Sequence, residues 1–126
     1  KVIKMAKKIG VKMAWGTDML FDAATAAKQG KFVVKMKRWF EPYEIMKMVT
    51  SDNAELLALA GPRIPYKEGE LGVIRKGAYA DLILVNGNPL KNISDIRKVA
   101  MVIKGERSYK PSNLYQSIGI KPFTQD

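Results

Sequence analysis

One short run constrains the fold of this chain more than any other feature: Val11-Lys12-Met13-Ala14-Trp15, set between a helical stretch and the breaker Gly16-Thr17-Asp18. A mostly apolar run of this length that stops at a turn reads as a buried strand ending in a loop. Ahead of it, Val2, Ile3, Met5, Ala6 and Ile9 recur at helical spacing, with Lys1, Lys4, Lys7 and Lys8 on the other side and Gly10 as the stop. The unit is helix, tight turn, strand. A lone parallel strand has nothing to pair with. Either it joins a distant strand of this chain, or it is the last strand of a sheet whose other strands lie outside this sequence.

The rest of the chain divides near residue 62. From about Ala23 to Trp39 an apolar face of Ala27, Phe32, Met36 and Trp39/Phe40 predicts a helix, weakened at Gly30, with Lys28, Lys31, Lys35 and Lys37 mainly outside that face. Glu41-Pro42 restarts a helix, because Pro suits a first turn where its missing N–H is not needed, and Ile45, Met46, Met48 and Val49 form its inner side. Ser51 and Asp52 are candidate N-caps for a further helix, Asp52 to Glu55 having capping-box spacing, and Gly61-Pro62 closes it. Beyond that point the apolar runs are short and bounded by glycines: Leu71-Val73-Ile74, Leu82 to Val85, and Val99-Met101-Val102-Ile103. These read as strands, with a hairpin turn at Lys104-Gly105-Glu106-Arg107 and an irregular tail from Lys110. Trp15, Trp39 and Phe40 are expected in the core, and the methionines between helices.

Composition then removes whole classes of chemistry. The 126 residues include no His and no Cys. A Ser-His triad, a zinc centre of His or Cys ligands and a Cys nucleophile therefore cannot be completed by this chain alone. Lack of cysteine leans the expected compartment toward the cytoplasm. No uncharged apolar stretch approaches the roughly 18 residues of a membrane helix, and the basic start has no apolar h-region behind it, so neither a membrane span nor a secretory signal is expected. The 22 Lys+Arg against 12 Asp+Glu give a net charge of +10. The excess sits in the helical half, residues 1–47 holding 11 basic and 4 acidic residues. Lysines at helical spacing opposite apolar residues describe a solvated helix face, and no RNA-binding signature or helix-turn-helix pattern accompanies them, so nucleic-acid binding is the weakest of the readings.

The best candidate for chemistry is Asp18. It stands just past the C-terminal end of the expected strand, after a Gly that lets the backbone turn, which is where α/β folds keep catalytic groups. An Asp after a strand is more often a cap or turn residue. Asp81, in Gly77-Ala78-Tyr79-Ala80-Asp81-Leu82, reads as structural, accepting backbone N–H bonds in a turn before a strand.

Four blocks stand in order: Ala14 to Asp18; Pro42 to Thr50; Asn53-Ala54-Glu55-Leu56-Leu57; and Leu71 to Leu90, which contains Gly72-Val73-Ile74-Arg75-Lys76-Gly77-Ala78-Tyr79-Ala80-Asp81-Leu82. Together, over residues 2 to 107, the sequence resembles the C-terminal part of the metal-dependent amidohydrolases, in particular their imidazolonepropionase-like and prolidase-like branch. The resemblance implies an α/β fold: a fragment of a (β/α)8 barrel followed by the C-terminal strands of a small β-sandwich. Residues 11–18 would be the eighth barrel strand, residues 23–60 the closing helices and residues 71–107 the returning sandwich strands. The expected divisions are 1–61 for the barrel part, 62–109 for the sandwich strands and 110–126 for the tail.

The resemblance also assigns Asp18 as metal ligand and as the group that handles the proton of the metal-bound water, the metal being a divalent ion, zinc in the first instance. The family's His-x-His pair, bridging residue and two further histidines have no counterpart in this sequence. The chain is accordingly expected to be a fragment of an enzyme, inactive alone, whose full-length form hydrolyses carbon–nitrogen bonds in a small-molecule or dipeptide-like substrate. Its expected partner is a second copy of itself or the missing N-terminal part of the barrel. The rival readings are a non-catalytic oligomerisation or interaction module and, behind it, a basic nucleic-acid-binding domain.

Overall fold

The computed structural model describes residues 1–19, 21–26 and 28–119, with only the backbone described for Ala23 and Ala26. Its helices are α1 (Val2–Lys8), α2 (Ala23–Ala26), α3 (Gln29–Lys35), α4 (Pro42–Val49), α5 (Ser51–Ala58) and α6 (Pro111–Ser117). Its strands are β1 (Asp81–Val85), β2 (Val99–Lys104) and β3 (Arg107–Tyr109), and single 3-10 turns occupy Met36–Arg38, Gly61–Arg63 and Ile93–Arg97. Among the described residues no helix is long and apolar enough to cross a membrane.

Local signals place the helix ends. Gly10 adopts φ +72°, the Gly10 amide donates to the Lys7 carbonyl at 3.3 Å, and the Val11 amide donates to the Ala6 carbonyl at 3.0 Å. That pair of bonds satisfies two carbonyls the helix leaves open and turns the chain sharply out of α1. At α4, Glu41 and Glu44 form a capping box with Pro42 in the first turn, the Glu41 amide donating to Glu44 Oε2 at 2.8 Å. The same carboxylate takes a 2.7 Å bond from Lys7 Nζ, which ties α1 to α4. Lys7 and the Glu41 amide hold the Glu44 carboxyl below its usual range. The helix expected over 23–39 is instead broken into α2, α3 and a 3-10 turn, and Ala27 lies outside the described residues. Gly30 falls near the start of α3, where a Cβ would come within 3.1 Å of the Arg97 side chain. Its smallness admits that neighbour at little cost to the helix.

The start of α5 also differs from expectation. The cap position is Thr50, whose hydroxyl donates to the Met46 carbonyl at 2.6 Å, while Asp52 faces Lys47 at 3.5 Å and Glu55 pairs with Lys12. With α4 and α5 abutting at one residue, there is no loop in which a Ser51 or Asp52 cap could form.

The core is small and joins both halves of the chain. Val33, Phe40, Ile45, Met48 and Ile93 are buried together, with Met13, Trp15, Met36, Trp39 and Met46 among the half-buried side chains packed around them. Ile93 begins the 3-10 turn between β1 and β2, and that turn docks on α3. The tryptophans thus line the core where burial of them was expected, with Phe40 inside it.

The sheet is an antiparallel meander in the order β1-β2-β3. Leu82, Ile83 and Leu84 stand opposite Ile103, Val102 and Met101, and a bulge follows between Leu84 and Val85. The β2–β3 turn falls at Gly105-Glu106 as expected. Residues 71–73 form bends and Ile74 is irregular, so the run is not a strand. Gly72 at φ +72° breaks the run, Ile74 is exposed, and the segment is held by the Tyr79 amide bonded to the Glu70 carbonyl at 2.9 Å. Residues 111–117 are helical where an irregular tail was expected; Pro111 occupies the first turn, is buried, and α6 packs on β2. Residues 120–126 of that tail lie outside the described residues.

Asp81 opens β1 and pairs with the side chain of Lys104, its ladder partner, not with backbone amides. That bond holds the Lys104 amine above its ordinary range. A carboxylate of this half of the chain that does have a backbone task is Asp95, which accepts the Asn88 amide at 2.9 Å and pairs with Lys98 at 2.8 Å. Lys98 first, then the Asn88 amide, lower its pKa. A depressed folded pKa contributes stability above the unfolded value of about 4 that is lost as pH falls through the folded one. Asp95→Asn is therefore expected to lower the thermal midpoint at pH 7 and to match the wild type near pH 2. Melting curves at the two pH values check this, and an equal deficit at both would point to packing alone.

Candidate functional site

The candidate site is the segment that leaves α1 and carries Asp18. Residues 11–15 pair with no strand among the described residues. A strand exists only through its ladder, and the three strands present are engaged with one another.

What holds the segment is α5. The Trp15 amide donates to Asn53 Oδ1 at 2.8 Å, and Asn53 Nδ2 donates back to the Trp15 carbonyl at 3.0 Å. Lys12 pairs with Glu55 two positions further along the same helix. Met13 and Trp15 pack their side chains against the core. The backbone is thereby fixed just before Gly16.

The turn itself is made at Asp18, where φ is +49°. Gly16 has no positive φ, and a Cβ there would meet open space, so the expectation that Gly16 makes the turn is corrected. Asp tolerates the left-handed region better than most residues. Asp18 is exposed and makes no hydrogen bond or ion pair among the described residues. Leu20 lies outside those residues. Asp22, four positions on, offers the contrast: it accepts the Thr25 amide at 3.0 Å at the start of α2, and its bonds to Thr25 lower its pKa. One carboxylate of the pair is occupied by capping. The other presents free oxygens on a constrained turn.

The donor set does not fit a metal held by this chain alone. No group of three His, Cys, Asp or Glu side chains lies together among the described residues, and the sequence has neither His nor Cys. A lone carboxylate supplies one ligand of the four or more that a catalytic divalent ion takes. Sequence reasoning read Asn53 only as part of a block. Its signal was there in its type, since a residue that competes for backbone hydrogen bonds and sits just inside a helix start often has its side chain engaged elsewhere.

Comparison with known proteins gives the family context. The sequence model described as the Amidohydrolase family matches residues 1–108. Ochratoxinase from Aspergillus niger is 32% identical over 126 residues, all of this chain and 24% of that protein, and ochratoxinases of two named strains of the same fungus match equally. The chain thus spans about a quarter of the length of the curated relatives it matches. No solved structure matches it.

Proposed function

The chain belongs to the amidohydrolase family, and from that premise we propose that it is the part of a metal-dependent hydrolase of carbon–nitrogen bonds that carries the active-site aspartate, Asp18. The family match and the ochratoxinase likeness support a hydrolase. The observation that carries the site assignment is the exposed Asp18 carboxylate, without a partner among the described residues, on a left-handed turn at the end of an anchored segment. A carboxylate so placed is fit to take the proton of an attacking water and return it to the departing nitrogen. The divalent metal, zinc in the first instance, would polarise the substrate and its water when bound. Its remaining ligands would come from outside this sequence, which has no His and no Cys and no cluster of three carboxylates among the described residues.

In this reading residues 11–18 become the last barrel strand once neighbours are present, residues 23–60 close the barrel, and residues 71–107 belong to the small sandwich domain. The boundaries follow as 1–61, 62–109 and 110–126. The substrate is a small amide, dipeptide-like or cyclic, and the setting is cytoplasmic. The test is a hydrolysis panel on the full-length protein loaded with zinc or manganese: N-acyl amino acids, dipeptides and cyclic amides, beside phosphate monoesters as a comparison. Turnover of an amide class supports the proposal. Activity confined to the phosphate monoesters overturns it.

Apolar surface supports a partner. Val2, Ile9 and Val11 in and after α1, Leu56 and Leu57 on α5 and Leu59 just past its end are all exposed. A chain rarely leaves so much apolar surface bare in water. The 126-residue chain is expected to sediment at low micromolar concentration as a dimer or larger. A stable monomer that unfolds cooperatively would sink this expectation and with it the oligomerisation reading. Of the 22 basic residues, Lys7, Lys12, Lys47, Arg75, Lys98 and Lys104 each face a carboxylate; no nucleic-acid-binding pattern accompanies the remaining positive charge, so that reading stays the weakest.

A further inference from the structure

We infer that Asn53 is a positioning residue for Asp18, an inference that rests on the proposed role of that aspartate. Asn53 sits in the first turn of α5 and bonds both backbone groups of one residue, accepting from the Trp15 amide and donating to the Trp15 carbonyl. The two partners lie 38 positions apart in sequence. Two bonds to one residue reproduce the pairing that a neighbouring strand would give in a closely hydrogen-bonded ladder. Their polarity also sets the amide's orientation, because the Trp15 N–H requires the oxygen and the Trp15 carbonyl requires the nitrogen.

The clamp lies where it bears on the carboxylate. Asp18 lies three positions beyond Trp15, so its Cα is within about 11 Å of the clamped backbone. The Trp15 side chain is packed against the core, which removes the other main freedom of that residue. The left-handed backbone at Asp18 then starts from a fixed point. Loss of the clamp frees the segment to drift on a scale of about an ångström, and misplacement of a reacting group by that much costs up to about 10²-fold in rate.

The test uses the full-length metal-loaded enzyme with Asn53→Ala, Asn53→Asp, Asp18→Asn and the double variant Asn53→Ala with Asp18→Asn. Asn53→Ala is expected to lower kcat about tenfold or more, with KM changed less than about threefold. Asn53→Asp keeps the acceptor for the Trp15 amide and loses the donor, so it should fall between. In the Asp18→Asn background the Asn53→Ala loss should shrink below about twofold, because the group being positioned is gone. A residue that only supports the fold would lower the amount of folded enzyme and leave kcat per folded molecule unchanged in both backgrounds. That result, or a full Asn53→Ala loss in both backgrounds, overturns the inference while leaving Asp18 in place. Wild-type turnover of Asp18→Asn by itself overturns the site assignment, and the inference with it. Should Asn53→Ala fail to fold, the nearly isosteric Asn53→Asp carries the same comparison.

Discussion

Asp18→Asn in the full-length hydrolase is expected to lower turnover by a factor on the order of 10² or more. Asn matches Asp in size and tolerates the same left-handed backbone, so the φ of +49° at this position is retained. What disappears is the charge and the basicity. In the proposed role Asp18 accepts a proton in one step and delivers it in the next, which a neutral amide cannot do, so the loss falls on kcat, and KM should move by much less. In the 126-residue chain alone, where Asp18 has no hydrogen bond or ion pair to lose among the described residues, the same substitution should leave the melting temperature near that of the wild type. Metal content must be measured alongside, since a lost ligand lowers occupancy as well. Near-normal turnover with full metal occupancy would mean that Gly16-Thr17-Asp18 is a turn and nothing more.

Ile45→Ala should produce the largest stability effect of a single truncation. Ile45 has 0% of its surface exposed and lies among Val33, Phe40, Met48 and Ile93. Removing three carbons from a site closed on all sides costs the lost transfer free energy plus the cavity left behind, about 2–5 kcal/mol. Folding of a domain is worth only about 5–15 kcal/mol, so this one change consumes a large share. Leu59→Ala is the companion, since Leu59 is 81% exposed and its truncation should stay within about 0.5 kcal/mol. Urea unfolding of both variants checks the contrast. Equal effects would place the core elsewhere.

Features legible in the sequence were those set within a few residues. The stop at Gly10, the Glu41-Pro42 start of α4, the β1 and β2 strands and the Gly105-Glu106 turn all follow from local chemistry, and the structure has them. Readings that failed depended on distant partners. Val11–Trp15 has the composition of a strand and pairs with none among the described residues, so its place as a barrel strand rests on neighbours outside this sequence. Leu71-Val73-Ile74 looked similar and failed, with Gly72 breaking it from within. Asp81 was read from its turn-like surroundings, while its partner Lys104 lies 23 residues on. The tail from Lys110 was expected to be irregular, though Pro111 fits the first turn of a helix and opens one there. At the site, Asp18 was visible because its residue type and place suggested chemistry. Asn53 was hidden because its task is defined by a residue 38 positions away.

Gly72 works as a shim of fixed thickness. A Cβ at this position would lie 2.6 Å from the Thr50 carbonyl carbon and oxygen and 2.9 Å from the Ser51 nitrogen, where the 69–77 loop abuts the junction of α4 and α5. Contacts that short cannot be absorbed by a side chain swinging away, because the obstructing atoms are backbone. Any larger residue would have to wedge the loop and helix apart at the point where α5 begins, one turn from Asn53. The seat of Trp15 is therefore machined partly by a loop that abuts the start of the helix, and the tolerance of that seat is set by the absence of one methyl group more than fifty residues downstream.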